Sequence, residues 1–225
     1  MGHRERMLAT ILASGLMAVA FTPAAAAPSG LSVQLEPQST DAQKVEEDRA
    51  VDVVAGIGAD ALRAYQMPSQ RRSEAMVELL RRSLDWGFVL RNSLPPVLLE
   101  GLTDQERNTV AQALLATTAE SYAAAFPNYQ GERIDILGVR SLGQGVAVVQ
   151  TKLVIPSNEA DLSIGWVVAG LDGSRAGLRD LLVDGISMLA SQQSALLALW
   201  DEAAQDKSTF LKRIDSPDPW GDSQQ

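Results

Sequence analysis

The sequence predicts an α+β fold: helices first, then a four-stranded antiparallel sheet, then a helix packed back against it. Three observations carry this. Over residues 41–126 apolar side chains recur at helical spacing. From Glu132 onward the period shortens toward two in four runs joined by short turns, the pattern of an antiparallel meander. Residues 179–200 (RDLLVDGISMLASQQSALLALW) then switch from period 2 to 3.6 across Asp184-Gly185, a strand-to-helix corner.

The first helix is expected over residues 41–65, with Val54, Ile57, Ala61 and Tyr65 on one face and Gly56 and Gly58 in its interior. Met67-Pro68 ends it. A second helix follows Ser69, with Met76, Leu79, Leu80 and Leu84 at helical spacing; Arg71-Arg72 and Arg81-Arg82 read as a solvated face. Pro95-Pro96 must break the next helix and restart it in its first turn. The bulky residues on these broken segments, Trp86, Val89, Leu94, Val97 and Leu98, are either core or the lining of an opening. Thr103-Asp104-Gln105-Glu106 is a capping box, and behind it Val110, Leu114, Leu115, Tyr122 and Phe126 form an apolar stripe ending before Pro127.

The first strand spans residues 132–140 around Ile134, Ile136, Leu137 and Val139, and Gly143-Gln144-Gly145 turns it into residues 146–155. The third strand has a clean period-2 face in Leu162, Ile164, Trp166 and Val168; the fourth covers residues 178–183. The second and fourth are apolar on both faces, which predicts a sheet covered on more than one side. After the corner, Ile186, Leu189, Leu196, Leu197 and Trp200 are expected on the buried face of a helix. Ser187 reads as a residue of its first turn. A short further helix is expected around Phe210, Leu211 and Ile214, and residues 216–225 read as a tail.

Composition excludes more than it assigns. The chain has no Cys, and its one His is His3. Residues 1–26 read as a secretory signal: Arg4 and Arg6, an apolar run over 8–21, then Pro23 and Ala24-Ala25-Ala26, with cleavage near Ala26. Residues 27–40, rich in Pro and Ser, read as a flexible lead-in. A mature chain without His or Cys builds no Ser-His-Asp triad, thiol nucleophile or ordinary zinc site. Removing the signal, which holds Arg4 and Arg6 against Glu5, takes the formal charge from −9 to about −10. Nucleic acid and direct adhesion to anionic bilayers are thereby disfavoured. Asp180 and Asp184 form a possible carboxylate pair, but Asp184 before Gly185 is more simply a turn or cap residue. Ser187 lacks the glycine-flanked elbow of a hydrolase nucleophile.

The order of segments resembles a family. DLLVDGISM at residues 180–188 is similar to the strand-to-helix corner of the MlaC/toluene-tolerance proteins, with Ser191-Gln192-Gln193 where that family begins its last long helix. Ser121-Tyr122, then Tyr129-Gln130-Gly131-Glu132 before the first strand, and Val149-Gln150-Thr151-Lys152-Leu153 in the second, match it as well. The resemblance spans residues 45–214. Two positions depart: Ala176 stands where the family usually has Trp, and residues 90–94 with the double Pro replace an L-G-R-x-W-type run.

The resemblance implies a curved sheet like that of nuclear transport factor 2 or the cystatins, closed by helices into one lipid-binding domain over residues 41–215. The implied function is that of a soluble, monomeric periplasmic carrier without cofactor, metal or catalytic residue. It would hold the acyl chains of a phospholipid in an apolar cavity and shuttle it between complexes of an Mla-type ABC transport system. Its implied partners are an inner-membrane substrate-binding ring and an outer-membrane lipoprotein complex. The expected lining is Trp86, Val89, Leu94, Val97, Leu98, Tyr122, Phe126, Ile136, Val149, Trp166, Val168 and Leu182, with Asp180, Asp184, Gly185 and Ser187 as a structural corner. Two alternatives stay open. One is a carrier of hopanoids or other apolar lipids from the same superfamily. The other is a small isomerase or dehydratase on the same scaffold, using Asp180, Tyr122 and Tyr129.

Overall fold

Caps and breakers set the helical half as the sequence requires. The computed structural model describes residues 41–125, 129–156, 161–173 and 175–216; the segments read as signal and lead-in, Phe126, and residues 217–225 of the segment read as a tail lie outside these. Helix α1 is Asp41–Tyr65 and runs unbroken through both glycines. Gly58 is there for proximity: a Cβ at this position would stand 3.0 Å from Ile134 Cδ1. Helix α2 (Ser69–Ser83) stops where Leu84 turns extended and bridges to Leu178, the Asp85 amide donating to the Leu178 carbonyl at 2.8 Å. Asp85 then caps α3 (Trp86–Ser93), accepting from the Phe88 amide. Leu94 is extended before Pro95, as a residue preceding proline prefers, and Pro96 opens the single-turn α4 (Pro96–Gly101). The capping box starts α5 (Asp104–Ala125): the Glu106 amide donates to Thr103 Oγ1 at 3.2 Å, and the Thr103 amide to Glu106 Oε2 at 2.7 Å.

The sheet has five antiparallel strands in sequential order, one more than the sequence predicts: β1 Arg133–Gly143, β2 Val146–Val154, β3 Leu162–Ala169, β4 Gly177–Val183 and β5 Ile186–Ser187. The β1–β2 turn places Gln144 and Gly145 at φ +54° and +67°, the primed geometry that matches strand twist. Register shifts in β1 and between β3 and β4 mark bulges, which bend the sheet into an open curve.

The fifth strand arises at the corner. Asp184 (φ +49°) and Gly185 (φ +84°) reverse the chain tightly enough for Leu182 to pair with Ser187 and Val183 with Ile186. Ile186 is therefore a strand residue, 41% exposed, and not part of the helix face expected of it. Ser187 caps the next helix from outside its first turn, accepting from the Ala190 amide at 2.9 Å. Helix α6 (Met188–Glu202) buries Leu196, Leu199 and Trp200; Leu197 falls off that stripe and is 42% exposed. Helix α7 (Lys207–Ile214), capped by Asp206, closes the chain.

Two kinds of core result. One is wholly helical: Leu94, Leu98, Leu102, Val110, Leu114, Leu196, Leu199, Trp200, Phe210 and Ile214 pack together with no strand residue among them. The others join the sheet to α1, α2 and α5.

Candidate functional site

A cavity of about 110 Å³ lies between the sheet and helices α1, α2 and α5. Ile57, Ala61, Leu62 and Tyr65 line it from α1, and Met76, Leu79, Leu80 and Ser83 from α2. Tyr122 enters from α5, with Tyr129 and Glu132 from the segment leading into β1. The sheet contributes Ile134, Leu153, Leu162, Ile164, Trp166, Leu178, Leu181 and Val183. The alternation 162, 164, 166 is that of a strand; the step of three from Leu178 to Leu181 follows from the bulge opposite Val167 and Val168.

The cavity surface is almost wholly carbon, and several polar atoms of its lining residues are engaged in the wall. Tyr65 Oη donates to the Tyr122 carbonyl at 2.6 Å, and Tyr129 Oη to the Glu132 carbonyl at 3.1 Å. Glu132, 5% exposed, accepts from the Gln130 amide at 2.8 Å. Trp166 Nε1 donates to Thr151 Oγ1 at 2.8 Å, whose hydroxyl in turn donates to the Ile164 carbonyl. Burial pushes the Tyr65 and Tyr122 hydroxyls well above the ordinary tyrosine range, the Asp180 charge adding to the rise at Tyr122. Both rings therefore stay neutral. Arg72 is buried beside the end of α5, where Nη1 donates to the Ala123 carbonyl, a favourable place for a cation.

The corner is a separate, tightly bonded unit. Asp180 Oδ1 accepts from the Leu181 amide at 2.8 Å and the Leu189 amide at 2.9 Å, while Oδ2 accepts from Ser187 Oγ at 2.6 Å. Asp184 Oδ1 accepts from the Ser163 amide at 3.1 Å. One carboxylate thus ties β4 to the start of α6, and the other ties the turn to β3. Among the described residues, no group of three or more His, Cys, Asp or Glu side chains is placed to hold a metal ion.

Of the expected lining residues, the structure places Tyr122 and Trp166 on this cavity. Leu94 and Leu98 lie in the helical core, where Trp86 packs half-buried against them and Val89 is buried nearby on α3. Val149 and Val168 are fully buried under α1 with Ala50 and Val54. Leu182 points to the opposite sheet face from its cavity-lining neighbours Leu181 and Val183, against Gly165. Val97 is 69% exposed, and Ile136, at a β1 bulge, 40%. Phe126 is outside the described residues. The missed lining had a signal. Ile57, Ala61, Tyr65, Met76, Leu79 and Leu80 form the regular apolar faces of the first two helices, less conspicuous than the bulky residues around the double proline.

Comparison with known proteins agrees with this arrangement. No curated protein matches the chain. A solved structure with the same fold is the phospholipid-binding protein from Ralstonia solanacearum, determined in complex with a phospholipid. It is 13% identical with a TM-score of 0.55, covering 81% of this chain and 98% of that one. Residues 49–203 match the family model described as MlaC protein. The chain belongs to the MlaC family.

Proposed function

We propose that this protein is a periplasmic lipid carrier, exported by the signal at residues 1–26, that holds acyl chain in the carbon-lined cavity. In this reading it shuttles phospholipid between an inner-membrane transporter ring and an outer-membrane lipoprotein complex as a monomer without catalytic residue or cofactor. The observation that carries the reading is the cavity wall: its surface is almost wholly carbon, and Tyr65 Oη, Tyr129 Oη, Glu132 Oε2 and Trp166 Nε1 are tied to the protein's own backbone and to Thr151. A surface of carbon replaces bilayer contacts worth about 0.8 kcal/mol per methylene. The kinship to a family with a phospholipid-bound relative of the same fold supports it.

Size adds a mechanical requirement. At about 110 Å³ the cavity is smaller than the ~300–1,000 Å³ of common ligand pockets. Two acyl tails fit only if the wall formed by α1 and α2 opens. The test is native mass spectrometry of the mature protein from its own periplasm, followed by extraction and lipid identification. About one diacyl phospholipid per chain is the expected result, held in this cavity. A hopanoid would move the cargo to another lipid class. Protein that carries no lipid and refuses labelled phospholipid would overturn the reading.

A further inference from the structure

We propose that the α1–α2 seam over the cavity is closed by a charge clasp that an acidic protein surface opens on docking. The inference rests on the carrier reading and adds to it the kind of partner face and where it binds. Asp60 on α1 accepts from two arginines at once: Arg63, one turn on, through Oδ1, and Arg82 at the end of α2, through Oδ2. The Arg82 pair is the one that crosses the seam. Its two residues are the chain neighbours of Ala61 on α1 and Ser83 on α2, both of which line the cavity. Arg175, exposed in the loop before β4, donates Nη2 to the Arg82 carbonyl at 2.9 Å and so brings a third guanidinium to the same end of α2.

Exposure makes the cluster reachable from one side. The Arg63 and Arg82 side chains are 65% and 51% exposed, whereas Asp60 is 21% exposed. A partner therefore meets guanidinium before carboxylate. A chain of formal charge −9 is repelled by an extended anionic sheet of lipid, but a small acidic protrusion within a Debye length of about 8–10 Å senses only this local patch. Carboxylates presented there compete with Asp60 for Arg63 and Arg82. Losing the Arg82 pair frees α2 from α1 where the cavity must widen. An exposed pair of this sort changes an equilibrium by about 1.4- to 5-fold, enough to bias a seam and too little to lock it.

The experiment uses the full mature chain, which has no Cys of its own, with Ala59→Cys and Glu74→Cys carrying spin labels across the seam. Oligoglutamate is the probe, oligolysine the control. The expected result at low salt is a longer inter-label distance with oligoglutamate. On protein loaded with a fluorescent-tailed phospholipid, transfer to neutral vesicles should quicken within that same range. Both effects should vanish at ionic strengths where the Debye length is about 3 Å. Both should also vanish in an Arg63→Gln/Arg82→Gln/Arg175→Gln variant, whose basal transfer is already faster. An unchanged distance in the wild type, or an equal response in the variant, overturns the clasp. Anionic vesicles opening the seam as well as oligoglutamate does would overturn the protein-face partner in favour of a membrane. A seam that responds in a protein that takes up no lipid upholds the clasp and removes the carrier reading instead.

Discussion

The helical core around α5, α6 and α7 and the layer between α1, α2 and the sheet are built from the same residue types; the first is closely packed, and the second holds the cavity. In the first, Leu98, Leu114, Leu196, Phe210 and Ile214 are each at most 1% exposed, and Trp200 meets Phe210 edge to face with centroids 5.9 Å apart. Helices packed on helices slide and rotate until their side chains interdigitate. In the second, Ala50, Val54 and Gly58 seat α1 closely on the strands, while the rings of Tyr65, Tyr122 and Trp166 line the cavity. A bulged, hydrogen-bonded sheet cannot bend to fill the difference. Helix α5 serves both sides, with Val110 and Leu114 turned to the closely packed core and Leu115, Ala119 and Tyr122 to the layer that holds the cavity. A void here is thus a property of which elements meet, not of how apolar they are.

The sharpest way to break this contrast is in the closely packed half. Phe210→Ala should cost about 3–5 kcal/mol in urea unfolding, since it empties a fully buried site that also holds the Trp200 contact. Lipid loading per folded molecule should stay as it was. The mirror experiment is Ala61→Phe, which puts a phenyl ring where the cavity already offers space. Its stability cost should stay within about 1.5 kcal/mol, while lipid loading falls by roughly tenfold or more, read by extraction and mass spectrometry. A large stability loss without loss of lipid would show that the two regions are packed alike.

The smallest expected effect lies at the α6–α7 joint of the closely packed half. The Ser208 hydroxyl and the Thr209 hydroxyl and amide, all donating to the Asp206 carboxylate, lower its pKa from 3.8 to about 2. A depressed folded value means that this cap contributes stability above pH 3.8 and loses it as pH falls from there toward 2. Carboxyl resonances followed by NMR should show Asp206 titrating near 2, and Asp206→Asn should flatten the stability profile across that interval. A titration near the ordinary value would remove the cap from the account.

Local signals were legible wherever chemistry acts between near neighbours. The Thr103–Glu106 box, the double proline between α3 and α4 and the Asp184-Gly185 corner each stand where the sequence places them, because cap geometry and φ preferences reach only a few residues. The corner hid one detail. A two-residue strand precedes α6, since the sharp turn leaves Ile186 and Ser187 beside β4 before the helix begins. The candidate site was legible at Tyr122 and Trp166, and elsewhere it was not. Val149 and Val168 point to the same sheet face as Trp166, and only the seating of α1 over them makes them core.

The sequence by itself determined the α+β order, the element boundaries set by caps and breakers, the absence of thiols and of any imidazole but that of His3, and the family through its corner. Tertiary structure alone decided where the chain is hollow. Apolar periodicity says that a face must leave water, because burial is roughly proportional to area. It does not say what the face meets, and a cavity depends on the curvature of one partner and the stiffness of the other. The Asp60–Arg82 contact is of the same kind: its two residues are 22 positions apart, and only the docking of α2 on α1 makes them a pair.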